Sequence, residues 1–199
     1  MQQVTVSIND TTIGNSRQVH IDPNTTFQTL LGFGNALTDA ALLNFKKMTS
    51  KVQAELLEQY WGETGTQFQV GRIPISSCDF STHVYSYDDN PGDTSLSKFS
   101  IDFDRKMGKI DFIDQVLSKA NTSGRQMTLF ASSWAPPIWM TSQNTSVDNP
   151  TLKGGPINDT AHVYAQYLVR FFEEYAKEGI KFWGLTAQVC TYTPPFSKH

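Results

Sequence analysis

The sequence is poor in cysteine, in charge and in long apolar runs. Its two cysteines, Cys78 and Cys190, are too few for a disulfide-stapled scaffold. Charged residues make up 18%, with 16 basic against 19 acidic and a formal net charge of -3. That balance lacks the basic face that nucleic-acid binding uses, so no nucleic-acid partner is expected. No apolar run reaches the roughly 18 residues of a membrane-crossing helix, so no transmembrane segment is expected. The opening Met1-Gln2-Gln3-Val4-Thr5 has no basic n-region and no apolar h-region, so a signal peptide is expected to be missing from the chain. Repeats, low-complexity runs and charge blocks are absent. No G-x-G-x-x-G opens a helix, and Gly32-Phe33-Gly34-Asn35 is too short a match, which leaves a dinucleotide-binding reading without its fingerprint.

Aromatic residues, by contrast, are plentiful: 13 Phe, 7 Tyr and 4 Trp, or 12% of 199 residues. With 39% hydrophobic residues this is the composition of a packed domain rather than a disordered chain. Sequons are also frequent. Asn9, Asn24, Asn121, Asn144 and Asn158 each begin an N-x-Ser/Thr triplet. Chance placement of 10 Asn and 38 Ser plus Thr over 199 positions gives about two. The excess points to a glycosylated protein of the secretory route. The plainer alternative is that Asn, Ser and Thr share a preference for loops.

Val4 to Ile8 and Gln18 to Asp22 alternate apolar and polar residues around turn chemistry, as a hairpin does. Strand and helix signals alternate after that. Strands are expected at Leu30–Leu37, Phe68–Ile73, Met127–Ala131 and Phe182–Thr186. Helices are expected at Ser50–Trp61, Lys109–Ala120 and Asp159–Glu178. In the first, Ser50 and Gln53 have capping-box spacing, with Val52, Leu56 and Tyr60 on one face. Right-handed crossovers make such a series an α/β fold with a parallel sheet, either open and doubly wound or a (β/α)8 barrel. The strands start about 50 residues apart, so eight units need roughly 400 residues, a length seen in barrels with long loops. On that reading the 199 residues hold the first four β/α units.

Barrel chemistry sits where strands exit into loops. The second strand leads into Arg72 and Asp79, the third into Trp134 and Trp139. A carboxylate accepts hydrogen bonds from sugar hydroxyls, and an indole covers the apolar face of a sugar ring. The structural alternative is that Arg72 and Asp79 form an ion pair and the tryptophans cap the core.

These blocks resemble a known family. Gly32 to Ala41, Arg72-Ile73-Pro74 through Cys78-Asp79-Phe80, and Ser133-Trp134-Ala135-Pro136-Pro137 are similar to glycoside hydrolase family thirty, the glucosylceramidases. Leu152-Lys153-Gly154 and Phe182 to Gln188 continue the resemblance. It implies a (β/α)8 barrel joined to a β-sandwich. Residues 1–26 are then a leading hairpin of the sandwich, 27–188 the N-terminal half of the barrel, and 189–199 a tail outside the family pattern. It also implies retaining hydrolysis of the β-glucosidic bond of glucosylceramide, at a membrane surface, with a lipid-presenting activator protein as a partner. The location implied is lysosomal or secreted, and that chemistry needs no metal and no cofactor. By position, Asp79 corresponds to an aspartate that binds glucose hydroxyls, Trp134 to a tryptophan of the glucose pocket, and Arg72 to an arginine beside the nucleophile. Thr38 and Asp39 are better explained as a helix N-terminus. Cys78 is expected to be a free, buried thiol without a catalytic role.

The departure from the family lies after Gln188. An Asn-Glu-Pro motif carrying the acid/base glutamate is expected there, yet Val189 to His199 contain no acidic residue. Cys190 stands in the glutamate's place, and a thiol is too weak an acid for this protonation. The nucleophile belongs to a later strand. No catalytic residue is therefore assigned within the chain, which is expected to be truncated and inactive alone. The alternatives are a non-catalytic glycan- or glycolipid-binding piece, or a product that does not fold stably because its sheet edges are open.

Overall fold

The computed structural model describes residues 4–8, 17–22, 24–122, 124–134, 136–146, 150–154 and 159–187. They fall into two compact units divided between Leu31 and Gly32. The first contains the expected hairpin: β1 (Val4–Ile8) pairs antiparallel with β2 (Arg17–Ile21), Val4 opposite Ile21 and Ile8 opposite Arg17.

The second unit is a four-stranded sheet in the order β3-β4-β5-β6, every neighbour parallel. The strands are β3 (Gly34–Ala36), β4 (Val70–Ile75), β5 (Thr128–Ser133) and β6 (Gly184–Thr186). Each strand lies beside its successor. A barrel is wound in that order, whereas a doubly wound sheet reverses direction at its middle. β3 is shorter and more exposed than the apolar run Leu30–Leu37 suggests. Leu30, Leu31 and Phe33 are exposed, because ladder pairing starts only where Gly34 meets Val70. Gly34 is required there: a Cβ would lie 1.7 Å from the Val70 carbonyl oxygen.

Helices connect the strands. Between β3 and β4 lie α1 (Asp39–Lys47) and α2 (Ser50–Trp61). Between β4 and β5 lie α3 (Asp102–Met107) and α4 (Lys109–Thr122), and between β5 and β6 lies α5 (Asp159–Lys177). The Thr38 hydroxyl accepts from the Ala41 N–H at 3.2 Å, so Thr38 caps α1 as its sequence implies. In α2 the cap is Thr49, one residue before the expected Ser50, accepting from the Val52 N–H. The inward face is also turned from the expected one. Val52 and Tyr60 are exposed while Trp61 is 2% exposed, because α2 packs Leu56 and Leu57 against the core and leans on α4, to which a Glu58–Lys119 ion pair of 2.7 Å ties it.

Short helices α1 and α3 escape a periodicity search. α3 ends at Gly108, whose φ of +85° is the left-handed turn that starts α4 at once. α4 buries Ile110, Phe112, Ile113, Val116 and Ala120. The sequence spacing puts Tyr164, Tyr167-Leu168, Phe171-Phe172 and Tyr175 on one stripe of α5; Tyr167, Leu168, Phe171 and Tyr175 are buried, and Tyr164 and Phe172 are partly buried beside them. Rings from α5 and the β4–α3 loop interleave, with Phe171 4.3 Å from Tyr175 and 5.7 Å from Tyr87 between centroids.

Candidate functional site

β4 and β5 finish side by side, Ile75 paired with Ser133, so their exit loops begin together. The β4 loop turns sharply. Ser76 and Phe80 take φ values of +68° and +63°, at a cost of about 1–3 kcal/mol each for non-glycine residues. Ser76 is held by its hydroxyl, 2.7 Å from the Tyr167 hydroxyl of α5. Between these two turns stand Ser77, Cys78 and Asp79.

The three residues singled out for sugar contact come together. Trp134, immediately after β5, donates its Nε1–H to Asp79 Oδ1 at 3.2 Å. The Arg72 guanidinium lies 4.9 Å from the centroid of the Trp134 ring, within cation–π range. The alternative of a direct Arg72–Asp79 ion pair is not what forms. Trp134 contacts both residues, and among the described residues Arg72 has no carboxylate within ion-pair distance. Asp79 and Trp134 line an open cleft of about 350 Å³ with Ser77, Cys78, Ser81, Thr82, His83, Val84 and Ser146. One indole donor leaves the Asp79 carboxylate with spare acceptor capacity, since it has about four lone-pair sites.

Behind the cleft is a buried polar cluster that the sequence did not announce. The Lys109 ammonium, 1% exposed, is 3.2 Å from Asp39 Oδ1 and 3.7 Å from Asp104 Oδ1. It donates to the Pro74 carbonyl at 3.2 Å, tying α4 to the end of β4. The Asp39 contact is a charge pair without hydrogen-bond alignment at Oδ1. Tyr85, Tyr87 and Tyr175 donate to Asp104 at 3.2, 2.6 and 2.5 Å, and Tyr85 also approaches Asp39 Oδ2 at 3.0 Å. Ser81 donates to Asp39 Oδ2 at 2.6 Å and accepts from the Cys78 N–H at 3.0 Å. A continuous path thus runs from α1 through Ser81 to the residue before Asp79. Burial, and then the Asp104 charge, push the Tyr85 phenol far above its ordinary pKa. Tyr87 and Tyr175 rise for the same reasons. Burial pulls Lys109 down, but Asp104 and Asp39 outweigh it and its pKa ends above the ordinary lysine value.

A comparison with known families agrees with this geometry. The model of the Glycosyl hydrolase family 30 TIM-barrel domain matches residues 30–194. The chain belongs to glycosyl hydrolase family 30. It is 38% identical over 168 residues to lysosomal acid glucosylceramidase of Mus musculus, covering 84% of this chain and 32% of that one. It is 30% identical over 164 residues to endo-1,6-beta-D-glucanase of Neurospora crassa, covering 81% and 33%. The crystal structure of SrfJ from Salmonella typhimurium superposes with a TM-score of 0.70 at 26% identity, over 94% of this chain and 44% of that one. The chain spans about a third of the length of the curated relatives it matches.

The parallel sheet of this family 30 chain is thus part of a TIM-barrel domain, and its cleft lies at the strand exits where barrels keep their chemistry. Cys78 is free and half-buried; burial, then the Asp39 charge, push its thiol pKa up, away from a reactive thiolate. Cys190, the tail 189–199 and sequons Asn9 and Asn158 lie outside the described residues. Asn24, Asn121 and Asn144 are exposed. Trp139 does not line the Asp79 cleft: its Nε1–H donates to the Asp88 carbonyl at 2.9 Å, and its ring faces a neighbouring cleft. Among the described residues no helix is long and apolar enough to cross a membrane.

Proposed function

We propose that this chain forms the sugar-holding wall of a retaining β-glucosidase whose substrate is glucosylceramide or a closely related β-glucoside. The observation that carries the reading is the Asp79–Trp134–Arg72 contact series at the exits of β4 and β5. Asp79 accepts from glucose hydroxyls, and Trp134 orients Asp79 while offering its ring to the sugar. Arg72, held on that ring, is the cation that positions the nucleophilic carboxylate.

Retaining hydrolysis uses two carboxyl groups about 5 Å apart, one acid/base and one nucleophile. In this reading both come from the part of the barrel that these 199 residues do not include, and the isolated chain does not turn over substrate. The four parallel strands and their helices belong to the first half of an eightfold barrel, and the β1–β2 hairpin is part of an accompanying β-sandwich. The sequon excess and the lysosomal relative support passage through the secretory route to a lysosomal or secreted location. A substrate carried in a membrane calls for surface docking, aided by a lipid-presenting activator protein.

The test is covalent trapping. The full-length protein that carries this chain is treated with a 2-deoxy-2-fluoro-β-glucoside bearing a good leaving group. The expected result is one fluoroglucosyl adduct on a carboxylate outside residues 1–199. An adduct within them, or none under conditions of turnover, contradicts the reading.

A further inference from the structure

Beside the Asp79 cleft, the same two exit loops enclose a second cleft of about 470 Å³, within the roughly 300–1,000 Å³ typical of small-ligand sites. Ser77, Val84 and Ser146 line both clefts. The second presents Pro91, Ile138 and Trp139 as apolar surface, with Asp89 and Lys153 as polar groups. The Trp139 ring is fixed by its bond to the Asp88 carbonyl. An anchored aromatic face with polar groups around it suits a saccharide, whose C–H face is apolar and whose hydroxyls are not.

One saccharide acceptor lies in the cleft wall. Asn144 opens the sequon Asn144-Thr145-Ser146, and both Asn144 and Ser146 line the cleft. The turn that presents Asn144 is well held. Buried Thr141 accepts from the Thr145 N–H at 3.1 Å, and the Asn144 N–H donates to the Thr141 carbonyl at 3.3 Å. Asn144 sits at φ +50°, a left-handed conformation that asparagine tolerates better than most residues. The other described sequons differ: Asn24 Nδ2 donates to Asp22 Oδ1 at 3.2 Å, and Asn121 stands in the last turn of α4.

We propose that Asn144 carries an N-linked glycan whose first sugars are seated in this cleft, on Trp139 and Ile138. The inference rests on the secretory-route reading above. In the transfer, Asn144 Nδ2 forms a bond to C1 of the first N-acetylhexosamine of a lipid-linked oligosaccharide diphosphate. The C1–O bond breaks, its electron pair leaves with the lipid diphosphate, and Nδ2 gives up one proton. The seated sugar touches the β4 loop through Pro91 and Asp89 and the β5 loop through Ile138 and Trp139. It therefore clasps the two loops that carry Asp79 and Trp134.

The test uses the full-length protein secreted by a glycosylating eukaryotic host. Glycopeptide mass spectrometry is expected to find Asn144 occupied. Peptide-N-glycosidase is expected to release that glycan at least about tenfold more slowly from the native protein than from denatured protein, because the seat must open first. Ile138→Glu, at a partly exposed position, is expected to restore fast native release. Glycans elsewhere with Asn144 bare, equal native and denatured release rates, or an unchanged rate in Ile138→Glu each overturn the proposal. Absence of glycan from every sequon overturns the secretory-route reading and the proposal with it.

Discussion

The Trp134 indole N–H donates to Asp79 Oδ1 at 3.2 Å, across 55 residues of sequence and between the exit loops of two neighbouring strands. In the proposed sugar site, that bond makes the tryptophan a positioning group as well as a platform for the sugar ring. Trp134→Phe keeps an aromatic ring and deletes the donor. Loss of one hydrogen bond to a charged group is worth about 1.5–3 kcal/mol, but solvent replaces part of it in an open cleft. The expected result is a fall of about three- to tenfold in kcat/KM for a fluorogenic β-glucoside in the full-length protein. Trp134→Ala, which also removes the ring, is expected to fall further. Steady-state kinetics of the two variants decide whether ring and donor act separately.

The Lys109 cluster predicts where stability is concentrated. Its ammonium faces two buried carboxylates, so Lys109→Met leaves Asp39 and Asp104 without their cation. Breaking a buried pair in this way costs about 3–5 kcal/mol. Denaturant melts of the full-length protein should show that loss. Lys109→Arg, which keeps the charge but not the shape, is expected to lose less. A Lys109→Met variant as stable as the parent removes the cluster from the account.

The same cluster sets a pH dependence. Lys109, Tyr85, Tyr87 and Tyr175 all have folded pKa values raised above their ordinary ones. The folded state therefore holds more protons than the unfolded state once pH exceeds about 10, and by linkage stability falls as pH rises from there. Below the ordinary lysine and tyrosine values this contribution is complete. On the acid side, Glu58 is held at about 2 by the Lys119 ammonium, so its contribution is present above 4.5 and fades as pH drops toward 2. Melting temperature against pH, read from 4 to 11, is expected to show a plateau with a steep alkaline limb. A flat profile above pH 10 contradicts the cluster geometry.

Much of this organisation is legible in the sequence, and the exceptions have physical causes. Long periodic helices such as α5, and strands with continuous apolar character such as β5, are set by local pattern. Helices α1 and α3, at 9 and 6 residues, are too short for periodicity to stand out, though Thr38-Asp39 marks the start of the first. Asp79, Trp134 and Arg72 are readable as candidates because polar and aromatic residues follow strand exits. Their contact order is not readable, since it depends on where two loops of unrelated sequence meet. Lys109 looks like an ordinary first-turn lysine; only the packing of α1, α3 and α4 around β4 buries it. Tyr85 and Tyr87 sit in a polar stretch, and their alternation is the one sequence hint that this loop is pinned inward.

The proposed division of labour, with the catalytic carboxylates outside these residues, also has a direct consequence. With no acid/base and no nucleophile assigned to its 199 residues, the isolated chain is expected to show no hydrolysis of a fluorogenic β-glucoside above buffer. Activity that co-purifies with the chain and disappears in Asp79→Ala contradicts that assignment.

The central claim is that Asp79 holds the sugar, and one measurement tests it most directly. The kcat/KM of the full-length protein for a fluorogenic β-glucoside is compared between parent and Asp79→Ala, with the folded fraction of each checked by its melt. Losing hydrogen bonds from a carboxylate to sugar hydroxyls predicts a fall of about ten- to a hundredfold, with the melting temperature little changed because Asp79 is exposed. A folded Asp79→Ala protein that keeps the parent's kcat/KM within about twofold contradicts the assignment of Asp79 as the sugar-binding carboxylate.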